Sequence, residues 1–282
     1  MTFPPLIGAA ALQDRLGDPA LVVLDASWYL PNAGRDPLAE YLGAHVPSAQ
    51  FFDLDLASDH STSLPHMLPS AAEFTALART LGVSAGDEVV VYDGSGVNLS
   101  AARVWWMFRA FGHERVRVLD GGLGVWKLEG RPLESGAPHR RPSGDFHAAL
   151  QPGRVRSLEE VRGVLDSGSA QVVDARPAGR FRGKEPEPRA GLRSGHMPGA
   201  LSLPYAELVD EAGRLLAPGA LRARLGAAGV DLDRPVIATC GSGTSSCAVL
   251  LALELLGAPP GALYDGSWSE WGARADVEVE GR

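Results

Sequence analysis

Four landmarks occur twice along this chain, in the same order and at a nearly constant separation, and this duplication constrains the fold more than any single stretch does. Leu21-Val-Val-Leu-Asp25-Ala-Ser returns as Gln171-Val-Val-Asp174-Ala-Arg, and Ala44-His45-Val-Pro47 returns as Gly195-His196-Met-Pro198. Val89-Val-Val-Tyr-Asp93-Gly-Ser-Gly96 is matched by Val236-Ile-Ala-Thr-Cys240-Gly-Ser-Gly243, and Val118-Leu-Asp120-Gly-Gly-Leu-Gly-Val-Trp126 by Leu263-Tyr-Asp265-Gly-Ser-Trp-Ser-Glu-Trp271. With 282 residues, the chain is long enough for two domains of ordinary size built on one plan. Each copy alternates short apolar runs with helical periodicity, which predicts an α/β fold whose mainly parallel sheets are covered by helices. Capping boxes at Ser70-Ala-Ala-Glu73 and Ser157-Leu-Glu-Glu160 mark helix starts in the two halves. Gly136-Ala-Pro-His-Arg-Arg-Pro-Ser-Gly144 lacks periodicity and reads as a linker, so the domains are expected at residues 1–143 and 144–282.

The copies differ where chemistry is possible. Val236 to Ala238 read as a buried strand and Ala248 to Leu256 as a packed helix, with Cys240 and a glycine-rich turn between them. Gly241 and Gly243 can adopt the positive φ that lets backbone N–H groups converge, and the helix N-terminus adds partial positive charge. Such a site favours thiolate over thiol and makes Cys240 a candidate nucleophile. A buried, inert cysteine at a strand end is the plain alternative. The first copy has Asp93 at this position, so only the second copy is equipped for thiol chemistry.

Charge and cysteine usage narrow the classes further. A net charge of −8 argues against nucleic acid and anionic membranes as partners, and any anionic substrate must be drawn by a local cluster of cations. The two cysteines, Cys240 and Cys247, have neither the separation that favours a bridge nor the pattern of a metal knuckle. Since the N-terminal stretch lacks a basic region and no apolar run approaches about 18 residues, a cytoplasmic, reducing setting is expected.

Taken together, the motifs resemble the tandem rhodanese-homology sulfurtransferases, and within them the 3-mercaptopyruvate sulfurtransferase group. The resemblance spans nearly the whole chain. It rests on Cys240-Gly-Ser-Gly243, Leu24-Asp-Ala-Ser-Trp-Tyr-Leu30, Arg103-Val-Trp-Trp-Met-Phe-Arg-Ala-Phe-Gly112, Gly179-Arg180-Phe-Arg-Gly183, Glu185-Pro-Glu-Pro188, Ser194-Gly-His-Met-Pro198 and Tyr264-Asp-Gly-Ser-Trp268. The thiosulfate-specific rhodaneses carry an Arg-Lys pair after the cysteine, which this chain lacks. It also departs from the family's usual Gly-Val-Thr, reading Gly243-Thr244-Ser245.

The resemblance implies two rhodanese-like domains with one active site at their interface, and no cofactor. Sulfur would pass from 3-mercaptopyruvate through a Cys240 persulfide to a thiol acceptor such as thioredoxin, to a small thiol or to cyanide, releasing pyruvate. It assigns the substrate carboxylate to Arg180 and Arg189, a role suited to planar guanidinium groups, with Gly241, Gly243, Thr244 and Ser245 lining the loop. Ser242 and Asp55 are implied as proton-handling partners of Cys240, with His66 close to them. On this reading the first copy is retained because it lends Asp55.

Other residues are expected to be architectural. Asp25 and Asp174, and likewise His45 and His196, recur in both copies; Trp105, Trp106, Trp126, Trp268 and Trp271 suit core or pocket wall. Cys247 is expected to be buried and inert, and the His60/His66 neighbourhood lacks a recognisable metal set. Thiosulfate as donor would benefit from loop cations that are missing. Phosphatase or arsenate reductase chemistry would want arginine where Ser246 stands. A non-catalytic rhodanese-like binding module has no need of the thiol, arginines and hydroxyl together.

Overall fold

The structure, a computed structural model, describes residues 3–138 and 140–281. It divides into two compact units. The first contains the chain up to Ser58, Leu68–Gln151 and the short piece Asp210–Leu215; the second contains Asp59–Met67, Pro152–Val209 and the chain from Leu216 onward. Each half therefore places a short segment in the unit formed chiefly by the other.

In the first unit, strands β1 (Leu6–Ile7), β2 (Leu21–Asp25), β3 (Gln50–Phe51), β4 (Glu88–Tyr92) and β5 (Val116–Leu119) form a parallel sheet in the order β1-β5-β4-β2-β3. In the second, β6 (Val155–Arg156), β7 (Gln171–Asp174), β8 (Leu201–Ser202), β9 (Val236–Thr239) and β10 (Ala262–Tyr264) repeat that order as β6-β10-β9-β7-β8, again parallel. The duplication seen in the sequence is thus a duplication of topology. Every residue of β2, β4, β7 and β9 is buried, as expected of central parallel strands covered on both faces.

Both capping boxes form. The Ser70 and Ser157 hydroxyls accept from the backbone N–H of Glu73 and Glu160, whose carboxylates return to the two serine N–H groups. The His45 and His196 rings also repeat one another: each Nδ1 lies 2.8 Å from a backbone carbonyl, of Tyr41 and Phe181 respectively, and each residue bridges antiparallel to a glutamate, Glu134 or Glu280. A shared architectural role explains their presence in both copies.

The stretch ending at Gly144 leads into backbone held against the first unit. Gly144 N–H donates to Arg79 O at 2.9 Å, Phe146 N–H to Val83 O at 3.2 Å and Gln151 N–H to Ala110 O at 2.7 Å. A Cβ at Gly144 would run into the Val83 carbonyl, which is backbone and has little freedom to yield. Gly144→Ala is therefore expected to cost about 1–3 kcal/mol of stability, read as a lowered urea midpoint.

The chain direction diverges between β7 and β9: β7 is followed by β8 on one side, β9 by β10 on the other. In open α/β sheets such a divergence leaves a crevice at the carboxyl ends of the strands, where ligands bind. Asp174 ends β7 and Cys240 follows β9, so the two segments singled out in the sequence meet at this crevice in the second unit.

Candidate active site

Cys240 leaves β9 and is 2% exposed. The turn through Ser246 delivers the chain into the helix Cys247–Leu255, whose residues from Cys247 to Leu253 are buried, so the loop is fixed at both ends. A second segment holds it from below. Ser267 Oγ donates to Tyr264 O at 2.8 Å and lies 3.3 Å from Cys240 N, while Trp268 N–H and Ser269 N–H donate to the carbonyls of Cys240 and Gly241 at 2.9 Å each. The Ser269 hydroxyl also reaches Gly241 O at 2.7 Å. Ser267 (φ 51°) and His66 (φ 60°) both occupy the left-handed region that side-chain-bearing residues rarely adopt, a form of strain that clusters at functional sites.

Burial pushes the Cys240 thiol up, but hydrogen bonds from the Ser245 and Ser246 hydroxyls and from the Ser246 and Ser242 N–H groups outweigh it, and the net shift is downward. Ser246 Oγ stands 3.4 Å from the sulfur. A lowered thiol pKa means that the thiolate persists as pH falls and is lost only below the ordinary thiol range. Removing one donor must raise the pKa. Ser246→Ala is expected to move the pH profile of Cys240 alkylation by iodoacetamide upward by about half to one pH unit.

Ser242, buried, meets His66: their Oγ and Nδ1 lie 2.9 Å apart, and Thr244 Oγ1 lies 3.2 Å from the same nitrogen. His66 reaches them because Asp59–Met67 belongs to the second unit. Asp55 lies in the first unit, where its carboxylate accepts from Trp28 Nε1 at 3.0 Å.

Arg180 sits on the short helix Ala178–Phe181 after β7, and its Nη2 is 3.1 Å from the point a Cβ on Gly241 would occupy. Its Nε and Nη2 bind Glu187 Oε2. The other oxygen of Glu187 accepts from Arg176 Nη1 at 2.7 Å, and Arg176 in turn clasps Asp174 through Nε and Nη2. Arg189 follows Glu187 by two residues and is half-buried.

Gly243 does take up a positive φ of 76°, but Gly241 does not. Close approach of the Arg180 guanidinium, rather than turn handedness, is what favours a residue without a side chain at Gly241.

A model of the rhodanese-like domain matches residues 8–129 and, a second time, 157–274. The chain belongs to the rhodanese-like family. Among curated relatives, it is 46% identical to 3-mercaptopyruvate sulfurtransferase of Homo sapiens, over 98% of this chain and 94% of that protein. It is 45% identical to thiosulfate sulfurtransferase of Bos taurus, over 93% of this chain and 88% of that protein. Among solved structures, it superposes on SseA from Escherichia coli, described as a 3-mercaptopyruvate sulfotransferase, with a TM-score of 0.86 and 42% identity, covering 96% of this chain and 100% of that one.

In this rhodanese-like chain the first copy of the loop is closed by its own side chain. Asp93 Oδ1 accepts from the N–H and hydroxyl of Ser95 at 2.8 and 2.6 Å; its Oδ2 accepts from Ala101 N–H at 2.8 Å and Ser100 Oγ at 3.2 Å, at the start of the helix Leu99–Ala110. A carboxylate thus occupies the position where the second copy offers a thiol.

Sequence reasoning passed over several residues that build the second copy. In sequence Ser246 reads only as the lack of an arginine, yet its hydroxyl lies 3.4 Å from the sulfur. Ser267 sits in a motif that was noticed, but its hydroxyl gave no sign of supporting Cys240. Glu187 was visible only as part of the Glu-Pro-Glu-Pro pattern. Tyr205, on the turn Tyr205–Leu208, has a phenol pushed up by burial, with Arg180 opposing and Cys240 reinforcing the shift, so it lies within electrostatic reach of both.

Proposed function

We propose that this chain transfers the sulfur of 3-mercaptopyruvate through a persulfide on Cys240 to a thiol or cyanide, releasing pyruvate. The observation that carries the reading is a thiol set in a hydroxyl-lined loop, 3.4 Å from Ser246 Oγ, with one guanidinium, Arg180, drawn up to Gly241. The Cys240 thiolate attacks the substrate sulfur and the carbon–sulfur bond breaks. Its electron pair passes into the enolate of pyruvate, and the proton lost from the substrate thiol ends on the methyl carbon. Ser242 and His66 relay that proton, a role supported by their 2.9 Å contact. The acceptor thiol then attacks the outer sulfur and releases the Cys240 thiolate.

Arg180 and Arg189 hold the keto acid by its carboxylate, while Gly241, Gly243, Thr244 and Ser245 shape the loop around it. Asp55 is assigned a share in proton handling; Asp55→Asn is expected to lower kcat by about tenfold or more with the thiol reactivity of Cys240 retained, as measured by iodoacetamide alkylation. Donor choice follows from charge. Identity does not separate the two donor classes, since relatives of both kinds stand at 46% and 45%. Gly241-Ser-Gly-Thr-Ser245 contains no cation to compensate a dianion such as thiosulfate.

A reducing, cytoplasmic setting would suit the free thiols of Cys240 and Cys247. Among the described residues no helix is long and apolar enough to cross a membrane. The assay for the whole reading compares pyruvate release from 3-mercaptopyruvate with thiocyanate formation from thiosulfate and cyanide. A clear preference for mercaptopyruvate is expected; a preference for thiosulfate would overturn the assignment of donor.

A further inference from the structure

Four charged groups of alternating sign run through the second unit behind the loop: Asp174, Arg176, Glu187 and Arg180. The Arg176 side chain is 0% exposed and that of Glu187 only 2%. Arg176 is satisfied on every side, with Asp174 on Nε and Nη2, Gly195 O at 2.8 Å from Nη2, Glu187 on Nη1, and the Trp268 ring 4.1 Å below its guanidinium. Trp268 N–H in turn bonds the carbonyl of Cys240. A buried ion pair is costly unless its groups are well partnered, and here every side-chain nitrogen of Arg176 has at least one acceptor. The carboxylate of Glu187 is therefore a fixed object, and it clasps Arg180 on the Nε and Nη2 side.

We propose that Glu187, locked in place by Arg176, is a positioning residue: it fixes the Arg180 guanidinium so that its remaining N–H groups meet the substrate carboxylate beside Cys240. The proposal rests on the reading of Arg180 as carboxylate clamp. Five N–H donors in a rigid fork can serve two carboxylates at once, one structural and one belonging to the ligand. Because these four charges sum to zero, Arg180 contributes to capture through directed hydrogen bonds, beside the charge of Arg189.

The test uses the full chain carrying Glu187→Gln, which keeps shape and removes charge. With 3-mercaptopyruvate, KM is expected to rise about tenfold while kcat stays within about twofold. A second arm needs no sulfur transfer: Cys240 is alkylated by iodoacetate, which bears a carboxylate, and by iodoacetamide, which does not, with the site confirmed by peptide mass. The iodoacetate-to-iodoacetamide rate ratio is expected to fall about five- to tenfold, and to fall no further when Glu187→Gln is added to Arg180→Ala.

An unchanged ratio in folded protein, or equal slowing of both reagents, would overturn the proposal and leave Glu187 a purely structural residue. Loss of the ratio in a chain that releases no pyruvate would uphold the positioning role and refute the sulfurtransferase reading instead. If Glu187→Gln lacks a cooperative thermal transition, Glu187→Asp keeps the charge opposite Arg176 at shorter reach. It is expected to lower the ratio in the same direction by a smaller factor, and an unchanged ratio there would equally overturn the proposal.

Discussion

Cys240→Ser is expected to reduce pyruvate release from 3-mercaptopyruvate by about 10⁴-fold or more, with the fold intact. The size of the effect follows from what the loop does. Two hydroxyls and two N–H groups hold the sulfur and draw its pKa down against the opposing effect of burial. A serine hydroxyl, whose proton is lost far less readily, gains too little from the same donors to ionise near neutral pH, and the oxygen product corresponding to a persulfide does not form under these conditions. Cys247 offers no replacement: its sulfur donates to Gly243 O at 3.3 Å, one residue into the buried helix. Pyruvate assays with both proteins, beside thermal melts that confirm folding, measure the difference.

Arg180→Ala is expected to lower kcat/KM for 3-mercaptopyruvate by about 100-fold, chiefly through KM, because paired charge-assisted hydrogen bonds to a carboxylate are lost. Arg180→Lys is expected to recover little of this. An ammonium is a point charge and cannot serve Glu187 and a ligand carboxylate with the planar fork that the site is built around. The neutral alkylating reagent iodoacetamide provides the control, since its reaction at Cys240 needs no carboxylate contact. Steady-state kinetics of the three proteins and their iodoacetamide rates separate loss of substrate capture from damage to the thiol.

The architecture was legible because it is written twice. Paired landmarks in register, apolar runs without alternation at Val89 to Val91 and Val236 to Ala238, and two capping boxes each report local physics that tertiary structure had no reason to override. The loop was legible for a similar reason: a strand, a cysteine, glycines and a helix are consecutive, so their geometry is local. What stayed hidden is long-range. Ser267 reaches Cys240 from 27 residues away, and His66 reaches Ser242 from 176 residues away. His66 was placed near the site by family resemblance, while nothing in its own surroundings showed that Asp59–Met67 groups with the second unit.

Gly241 shows the opposite failure. In sequence, a glycine favoured by a close guanidinium looks the same as one favoured by a left-handed turn. Asp174 reads in sequence as architectural because Asp25 matches it, and both are buried, but the residue two positions on differs. Ser27 and Arg176 bond the carboxylates of Asp25 and Asp174 alike through backbone N–H, but the Arg176 guanidinium also links its aspartate to Glu187, which holds Arg180. Symmetry between the copies guides the fold, while the cluster of Asp174, Arg176, Glu187 and Arg180 belongs to the second copy alone.

The most direct measurement is the mass of the protein after brief exposure to 3-mercaptopyruvate with no acceptor present, followed by peptide mapping. Addition of one sulfur atom to the peptide containing Cys240, removed by a thiol and missing from Cys240→Ser, is the expected result. An unmodified Cys240 in folded protein, or sulfur found on Cys247 instead, would contradict sulfur transfer through Cys240.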